Sequence, residues 1–208
     1  MKLYSYVVAR DYGFAPNPFF GICTLATCKP QIRKSAVVGD WIIGTGSRAY
    51  GRDGHLVFAF MVSEILSFND YWDDPRFQNK KPYLAGSLKQ AFGDNIYHSN
   101  ASGTHWYQVN SHHSLHDGRP NPLNIDHDTR WPRVLVGTDY VYWGGAGPKI
   151  PARFRNFRGE DICKSGPGHK CNFSSPFVTA FLAWVRSREE RGYVSQPAEF
   201  AQIKKTLL

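Results

Sequence analysis

Apolar residues in this chain occur in short runs that glycine, proline and polar side chains interrupt. The longest uninterrupted run, residues 56–62, has seven residues. Because a helix needs about 20 apolar residues to cross a bilayer, the sequence predicts no membrane span. With 42% apolar and 20% charged residues over 208 positions, the chain can still bury a core. This composition predicts one folded domain, residues 1–208, and argues against disorder.

The order of these runs predicts a strand-dominated α+β domain, a small barrel with helices packed at one end. The predicted strands are residues 2–9, 41–45, 55–66, 105–109, 134–136 and 140–143. A hairpin through residues 46–54 joins the second strand to the third. The predicted helices are residues 30–37, 86–92, 176–191, which start after the cap Ser175 and stop at Gly192, and 197–206 with the stripe Phe200, Ile203 and Leu207. Residues 67–84 and 110–132 are predicted to be loops.

Basic residues exceed acidic ones by 25 to 17, and the net charge of +8 predicts an anionic partner, nucleic acid or nucleotide. The excess lies at the two ends of the chain: residues 1–60 carry 7 basic and 3 acidic residues, and residues 133–208 carry 12 and 6. The middle carries 6 basic residues, 8 acidic residues and six of the eight histidines. We therefore expect basic residues to hold phosphates around a polar site in the middle segment.

The chain has four cysteines, and its N-terminal segment lacks the small-residue cleavage site of a signal peptide. Both features predict reduced thiols and a cytoplasmic protein. Cys163, His169 and Cys171 carry ligand types that suit zinc. Their spacing is not that of a zinc knuckle, and a fourth ligand would have to come from Cys23, Cys28 or a distant histidine. We expect ordinary free thiols there and no cofactor.

Residues 150–158 alternate arginines with phenylalanines. In an extended segment, Arg153 and Arg155 would share one face and Phe154 would lie on the other, so the arginines would grip phosphates while the ring anchors the segment. Arg158 and Phe157 continue the pattern. A solvated basic loop held by its phenylalanines would give the same pattern, and the excess of positive charge favours phosphate binding.

The middle segment holds the densest set of acid, base and ligand groups. Its candidates for catalysis are His112, His113, His116, Asp126 and Asp128. One histidine would act as acid and base while one aspartate orients it. A metal site would need a rigid cage that the spacing does not specify, and a histidine that binds a base or a phosphate, or that caps backbone groups, is the simpler interpretation. The sequence has no nucleophile elbow, phosphate loop, dinucleotide fingerprint or HExxH motif, which disfavours the commonest enzyme classes.

Aromatic side chains beside polar turns are candidates to stack on a free or flipped base. Most aromatics of a small barrel fill its interior, so only those near Asn95, His98 or Asp40 are considered. The ligand-binding candidates of the middle segment are Trp72, Asn95, Tyr97, His98 and His113.

A family resemblance is carried by residues 11–47, DYGFAPNPFFGICTLATCKPQIRKSAVVGDWIIGTGS, by GDNIYH at 93–98 and by HHS at 112–114. These blocks resemble the nucleotide-modification-associated domain family, second type, over nearly the whole chain. The resemblance implies a role beside enzymes that modify or process nucleotides and DNA bases, often in bacterial phage-conflict systems. It implies no particular reaction.

A second resemblance concerns the fold. A short helix followed by GDWII at 39–43, LVFAFMVSEIL at 56–66 and YWDDPRF at 71–77 is similar to the PUA-like barrels, including EVE and ASCH domains. It implies a barrel whose pocket receives an extruded modified base. The residues it places near the pocket mouth are Asp40, Trp41, Ser47, Trp72, Asp74 and Pro75. Residues 93–131 have no counterpart in those domains.

Three hypotheses follow from these patterns. The first is a PUA-like domain that binds a modified or flipped base or a nucleotide, with phosphates held by Arg153, Arg155 and Arg158. The second is an enzyme that acts on nucleotides or bases through a His/Asp site in residues 93–131. The third is an adaptor that assembles protein partners of a modification or defence system.

Overall fold

The computed structural model describes residues 1–156 and 158–206, the last three by their backbone alone. Its strands are β1 (Leu3–Val8), β2 (Cys23–Leu25), β3 (Trp41–Gly46), β4 (Leu56–Met61), β5 (Glu64–Ser67), β6 (Tyr97–Ser99), β7 (Trp106–Gln108), β8 (Arg133–Gly137), β9 (Tyr140–Tyr142) and β10 (Gly192–Tyr193). Its α-helices are α1 (Pro30–Ser35), α2 (Phe68–Asp73), α3 (Leu88–Ala91), α4 (Pro122–Thr129), α5 (Ser175–Arg186) and α6 (Phe200–Thr206). Two residues named in the predictions lie outside the described residues. They are Phe157, in the arginine-containing residues 150–158, and Leu207, in the apolar stripe of the last predicted helix.

The chain divides into two compact units. Unit 1 comprises Met1–Asp11, Val37–Ser63 and the described residues from Thr138 onward, and unit 2 comprises Tyr12–Ala36 and Glu64–Gly137. Each unit has its own apolar cluster and its own sheet. The expectation of a single domain over residues 1–208 stays a prediction.

Unit 1 is built on a five-stranded sheet in the order β1-β3-β4-β9-β10. The β3–β4 pair is antiparallel and confirms the predicted hairpin, whereas β1 pairs with β3 in parallel. Alternate strand residues such as Leu3 and Ile43 face the apolar stripe of α5, where Phe177 and Phe181 pack at helical spacing. The predicted C-terminal helix is confirmed, although it ends at Arg186 and not beside Gly192.

Unit 2 contains an antiparallel sheet in the order β2-β8-β5 and the two-stranded ribbon β6–β7. Its core consists mainly of aromatic and β-branched residues, among them Phe14, Phe68, Tyr71, Phe77 and Val134. In the ribbon, Tyr97 pairs with Gln108 and His98 with Tyr107. Successive side chains of a strand point to opposite faces, so the first pair faces one side of the ribbon and the second pair the other.

The predicted strand at residues 55–66 is wrong as a single element. It consists of β4 in unit 1 and β5 in unit 2, which belong to different sheets. The chain leaves the first sheet at Val62, whose N–H donates to the Asp40 carbonyl. Because the residues on both sides of this break are apolar, the hydrophobic pattern does not reveal it.

Both segments predicted to be loops contain helices. In residues 67–84, Ser67 and Asp70 form a capping box at the start of α2, and Asp74 caps a 3₁₀ turn that begins at Pro75. In residues 110–132, Asn121 accepts from the Leu123 N–H at 3.1 Å and caps α4, which begins at Pro122. A capping residue followed by proline is a helix-start signal, and both segments contain one, Asp74 before Pro75 and Asn121 before Pro122. The prediction of loops in these segments is therefore wrong.

The α+β class is confirmed, but the PUA-like barrel is not. The strands of residues 1–156 and 158–206 form a five-stranded, a three-stranded and a two-stranded sheet, and none of the three closes into a barrel. In the same part of the chain, every helix is too short or too polar to cross a membrane.

Candidate active site

A cysteine lies on the strained turn between a strand and a helix of unit 2. The turn connects β2 to α1, and both Cys28 and Lys29 adopt left-handed backbone conformations, with φ of 55° and 42°. Such conformations cost non-glycine residues about 1–3 kcal/mol each and are concentrated at functional sites. Nucleophiles of other enzymes occupy strained strand-to-helix turns of this kind. The Cys28 side chain is half-buried, so its thiol is not sealed in the core.

The thiol of Cys28 is the first member of a chain of three interacting side chains. Its Sγ lies 3.5 Å from Nε2 of His113, and Nδ1 of His113 lies 2.9 Å from Oδ2 of Asp128. The His113 side chain is 15% exposed and the Asp128 side chain is fully buried. A nucleophile next to a base that a third group orients is the geometric signature of nucleophilic catalysis.

The loop that carries His113 is fixed by hydrogen bonds of its backbone. The His113 N–H donates to Ser111 Oγ at 3.3 Å, and the His113 carbonyl accepts from Asn124 Nδ2 at 2.7 Å. Gln108 Nε2 donates to the same carbonyl at 3.4 Å and to the Tyr97 hydroxyl at 3.0 Å. These contacts connect the loop to α4 and to the ribbon, so the imidazole is held in position.

Asp128 lies near the end of α4 and joins several parts of unit 2. Its carboxylate accepts from the Cys28 N–H at 2.8 Å and from the Tyr97 hydroxyl at 3.1 Å, and Nδ1 of His127 lies 3.1 Å away. The same carboxylate therefore orients the imidazole and holds the strained turn. Losing it would disturb the thiol and the base together.

The guanidinium of Arg33 connects the turn to the acidic end of the site. It is completely buried and donates through Nε to the Cys28 carbonyl at 2.9 Å and through Nη2 to the Asp128 carbonyl at 2.6 Å. Its Nη2 also lies 3.9 Å from the Asp128 carboxylate. Five donors in one plane allow an arginine to bridge several acceptors, which explains how one side chain of α1 fixes two loops.

The charges of the site favour an ionised imidazole and an ionised carboxylate. Burial lowers the pKa of His113, but its hydrogen bonds to Asp128 and Cys28 outweigh burial and raise that pKa to about 10. Burial raises the pKa of Asp128, yet His113 and Arg33 together bring it below its ordinary value. The charged ring can donate through Nδ1 to the carboxylate and through Nε2 to the sulfur. The cluster can therefore hold and move a proton between Nε2 and Sγ.

The structure brings together two of the five predicted catalytic residues, His113 and Asp128. His112 is exposed and packs against the rings of Tyr12, Phe14 and Phe92. His116 is exposed, and Asp126, 76% exposed, pairs with Arg130 on the surface of α4.

The ligand-binding candidates of unit 2 have two different environments. Asn95 and Tyr97 are buried, and Asn95 Nδ2 donates to the carbonyls of Tyr71 and Phe77. Trp72 and His98 are half-buried, and their rings pack at a tilt of 32° with centroids 4.3 Å apart.

In unit 1 the predicted pocket residues have structural contacts of their own. Asp40 is buried and accepts from the backbone N–H groups of Lys2 and Val37, and Trp41 belongs to the apolar core. Ser47 caps a 3₁₀ turn through the Ala49 N–H, and it also lines a cavity of this unit.

The three arginines predicted to hold phosphate differ in their contacts. Arg155 forms ion pairs with Asp161 at 3.0 Å and with Asp53 at 3.8 Å. Arg153 lies over the Phe154 ring, and Arg158 is exposed. Arg155 is thus already neutralised within unit 1.

The described part of the chain contains no group of three or more His, Cys, Asp or Glu side chains that could hold a metal ion. Of the weak zinc candidates, Cys163 is half-buried, Cys171 is exposed, and the His169 ring packs against Tyr4. All four cysteines are free thiols, as the sequence predicts.

Sequence reasoning did not connect Cys28 with His113 and Asp128, and it did not single out Arg33. One local signal was present: in ATCKP, a cysteine follows a β-prone stretch and precedes a proline that can start a helix. The pairing of Cys28 with His113, 85 positions away, has no local signal. The burial of Arg33 has none either, because a basic residue on a short helix is usually exposed.

A half-buried thiol, an imidazole and a carboxylate are thus joined in that order within the α+β fold of unit 2. The family model described as nucleotide modification associated domain 2 matches residues 1–204. The chain belongs to that family, and its association is with nucleotide modification. Neither the curated proteins nor the solved structures with which the chain was compared give a match.

Proposed function

We propose that this protein is an enzyme of nucleotide modification that uses Cys28 as its nucleophile. The observation that carries the proposal is the continuous path from Cys28 Sγ through the His113 ring to the Asp128 carboxylate. Cys28 is the group that attacks, His113 is the acid and base, and Asp128 and Arg33 are positioning residues. The second sequence hypothesis, an enzyme with a His/Asp site in residues 93–131, thereby gains a nucleophile from outside that region.

The proposed step is addition and elimination at a trigonal carbon of a base or of its substituent. The proton of Cys28 is held on Nε2 of the charged His113 ring, and a lone pair of the thiolate sulfur forms the S–C bond while the π pair of the carbon's double bond moves onto its heteroatom. When that pair returns, the leaving group departs with the proton from Nε2. Water or an amine then attacks the same carbon, gives its proton to Nε2 and displaces the sulfur, which regenerates Cys28.

The nucleotide character of the substrate is supported by the family and by the surroundings of the thiol. The rings of Tyr12, Phe14, Phe92 and exposed His112 form an aromatic cluster, and Phe14 also contacts His113 with ring centroids 4.7 Å apart. Aromatic faces of this kind stack on bases. The net charge of +8 favours an anionic substrate. In this proposal the reaction belongs to a cytoplasmic modification or phage-defence system, a setting that the family resemblance supports.

Site-resolved alkylation by iodoacetamide tests the nucleophile. We expect Cys28 to react at pH 7 at least about tenfold faster than the exposed Cys171, because only Cys28 has an imidazole and a carboxylate behind it. His113→Asn keeps a donor towards Asp128 but has no group beside the sulfur, and it should abolish this difference. Peptide mass spectrometry measures both rates in the same sample.

Protection by nucleotides tests the substrate class. We expect one or more of the four deoxynucleoside monophosphates, or an oligonucleotide of mixed sequence, to slow alkylation of Cys28 and leave Cys171 unaffected. Equal rates at the two cysteines would contradict a nucleophilic role. A fast Cys28 that no nucleotide protects would contradict the nucleotide substrate alone.

A second candidate function, binding of a modified or flipped base without catalysis, is favoured by one feature of the ribbon. On the face opposite Tyr97, the His98 ring lies between Trp72, whose tilted ring is 4.3 Å away, and Tyr107, on which it stacks at 4.9 Å. Lys81 Nζ lies 3.7 Å from the Trp72 ring centre. An aromatic stack beside a cation suits a base and its phosphate. This function predicts that Trp72→Ala weakens oligonucleotide binding, with an affinity that falls steeply with salt, and that Cys28→Ser leaves it unchanged.

A further inference from the structure

The excess of positive charge belongs mainly to unit 1, and two segments of that unit concentrate it. Unit 2 carries 10 basic and 8 acidic residues, whereas unit 1 carries 15 and 9. The loop of the β3–β4 hairpin, residues 47–55, and residues 148–155 together contain five basic residues and one acidic residue. These two segments are called the basic surface below. The proposed chemistry of Cys28 makes no use of them.

Backbone contacts hold the two segments of the basic surface side by side. His55 forms an antiparallel bridge with Lys149. The Ile150 N–H donates to the Gly54 carbonyl at 2.7 Å. Because both contacts belong to the main chain, basic side chains that are far apart in the sequence are fixed at the same end of the sheet of unit 1.

Arg155 has a structural role in the basic surface. Its ion pairs with Asp53 at 3.8 Å and with Asp161 at 3.0 Å join the hairpin loop to the second segment. It crosses Gly54 so closely that a side chain at that position would collide with the guanidinium. The same pairs neutralise Asp53, the acidic residue of the basic surface, so this carboxylate does little to repel an anion.

Three other cations of the basic surface are open to solvent. Arg48, Lys149 and Arg153 are exposed, and in the described part of the chain none of the three has an acidic partner. Arg153 packs on the Phe154 ring, which leaves its charge unneutralised. Tyr50, on the same loop as Arg48, is 40% exposed. Cations that contact phosphates and an aromatic ring that stacks on a base are the combination that binds single-stranded nucleic acid.

We infer that the basic surface binds the phosphate backbone of a single-stranded nucleic acid. Arg48, Lys149 and Arg153 contact the phosphates, and Tyr50 stacks on a base. The association of the family with nucleotide modification favours a nucleic acid over another polyanion, such as an acidic peptide. The inference goes beyond the proposed reaction and does not depend on it, because the basic surface belongs to unit 1 and Cys28 to unit 2.

The salt dependence of oligonucleotide binding tests the basic surface. The probe is a fluorescent thymidine oligonucleotide of about 16 nucleotides, the upper site size of one single-strand-binding domain, and anisotropy measures its affinity for the full chain. Each phosphate contact contributes about 0.7 to the slope of log affinity against log salt concentration. The triple variant Arg48→Ala/Lys149→Ala/Arg153→Ala should therefore reduce this slope by about 2, and it should weaken binding at low salt at least about tenfold.

The matched control removes the same number of charges at the opposite end of the sheet. There, Arg186 lies over the ring of Trp41, the first residue of β3, and Arg191 lies beside the same ring. Lys2 precedes β1 and accepts from the Trp41 N–H. All three cations are exposed. The triple variant Lys2→Ala/Arg186→Ala/Arg191→Ala should change the slope by less than about 0.7.

Two single variants separate stacking and the active site from the charge effect. Tyr50→Ala changes an exposed ring, so it should weaken binding about fivefold without changing the slope or the melting temperature. Cys28→Ser should leave the affinity unchanged. Equal slopes in the two triple variants, or displacement of the oligonucleotide by polyglutamate as efficiently as by unlabelled oligonucleotide, would overturn the inference. Absence of binding would also overturn it, while fast alkylation of Cys28 would leave the proposed function intact.

Discussion

Unit 2 contains two buried polar clusters that resemble each other in composition and differ in the direction in which their surroundings shift the pKa of their ionisable groups. The nucleophile cluster consists of Cys28, Arg33, His113 and Asp128, and the lysine cluster consists of Asn17, Thr24, Tyr71, Lys80 and Asp94. Each has one buried carboxylate, one buried basic side chain and a tyrosine hydroxyl on the carboxylate. Only the nucleophile cluster has members that reach the surface.

The lysine cluster is closed on all sides. Lys80 Nζ donates to the Asn17 carbonyl at 3.0 Å and to Asn17 Oδ1 at 2.7 Å. The Asp94 carboxylate accepts from Thr24 Oγ1 at 2.8 Å and from the Tyr71 hydroxyl at 2.7 Å. Lys80 and Asp94 are both 1% exposed. These bonds join the segment before β2, α2 and the segment before β6, which is a structural role.

The pKa shifts in the two clusters have opposite senses. Burial lowers the pKa of Lys80 to about 8 and raises that of Asp94 to about 6, which favours the neutral form of each. In the nucleophile cluster the hydrogen bonds outweigh burial, so the pKa of His113 rises to about 10 and that of Asp128 falls. Shifts towards the charged forms beside a half-buried thiol suit proton transfer, whereas the shifts towards the neutral forms in the lysine cluster reflect its complete burial.

The largest effect is expected from removing the carboxylate of the lysine cluster. Asp94→Ala removes the nearest acceptor of the Thr24 and Tyr71 hydroxyls and leaves Lys80 without its compensating charge, so we expect it to lower the free energy of unfolding by about 3–5 kcal/mol. Urea denaturation measures the loss. Iodoacetamide should still alkylate Cys28 of the folded variant at the wild-type rate. A loss under about 1 kcal/mol would show that this cluster does not hold unit 2 together.

Asp128→Asn is the matched change in the nucleophile cluster. The amide removes the charge that keeps His113 protonated and its ring oriented, so we expect alkylation of Cys28 to slow at least about tenfold. Asp94→Asn, the same change in the lysine cluster, should leave that rate within about twofold. If both variants slowed alkylation equally, the contrast between the clusters would be wrong.

The pH dependence of stability distinguishes the clusters in one experiment. His113 has a folded pKa of about 10 against 6.5 in the unfolded chain, so its contribution is complete below pH 6.5 and is lost as the pH rises through 10. Lys80 has a folded pKa of about 8 against 10.5, so from pH 8 to 10.5 the unfolded chain binds more protons and stability rises. His113 and Lys80 each change the free energy of unfolding by at most about 1.4 kcal/mol per pH unit, and the two changes have opposite signs.

Variants separate these two slopes when their curves are compared with the wild-type curve. His113→Asn loses the fall in the free energy of unfolding between pH 6.5 and 10, so its slope there should be more positive than that of the wild-type protein. Lys80→Met loses the rise between pH 8 and 10.5, so its slope there should be more negative. Buried thiols and tyrosine hydroxyls with raised pKa values lower the stability of all three proteins above about pH 9, and the comparison with the wild-type curve removes their contribution. Urea titrations at one-unit intervals measure the curves, and an unchanged slope in either variant would refute the charge assignments.

The parts of the fold that sequence predicted are those with a local cause. The β3–β4 hairpin, α1 after Pro30 and the apolar stripe of α5 each follow from periodicity and from caps within a dozen residues. The division of residues 55–66 between two sheets depends on pairings with β3 and β8, which lie elsewhere in the chain. No short window contains that information.

The candidate site divides in the same way. The composition of residues 110–132 pointed to His113 and Asp128, since histidines and aspartates are concentrated there. Cys28 comes from a segment about 85 positions earlier and joins them only in the folded unit. Buried Arg33 and Lys80 were not predictable either, because their burial depends on acceptors that several distant segments provide.

The smallest effects are expected at the predicted catalytic residues that the fold leaves at the surface. Asp126 is 76% exposed and its partner Arg130 is 56% exposed, so water screens their attraction, and Asp126→Asn should change the free energy of unfolding by less than about 0.5 kcal/mol. His116→Ala should do the same, because the His116 side chain is exposed. In both variants, iodoacetamide should alkylate Cys28 at the wild-type rate. Asp128→Asn is measured beside them in the same assay. Asp126 and Asp128 are two positions apart on α4, yet Asp126 faces solvent and Asp128 contacts His113. A slower alkylation of Cys28 in Asp126→Asn would therefore mean that the wrong aspartate has been assigned to the imidazole.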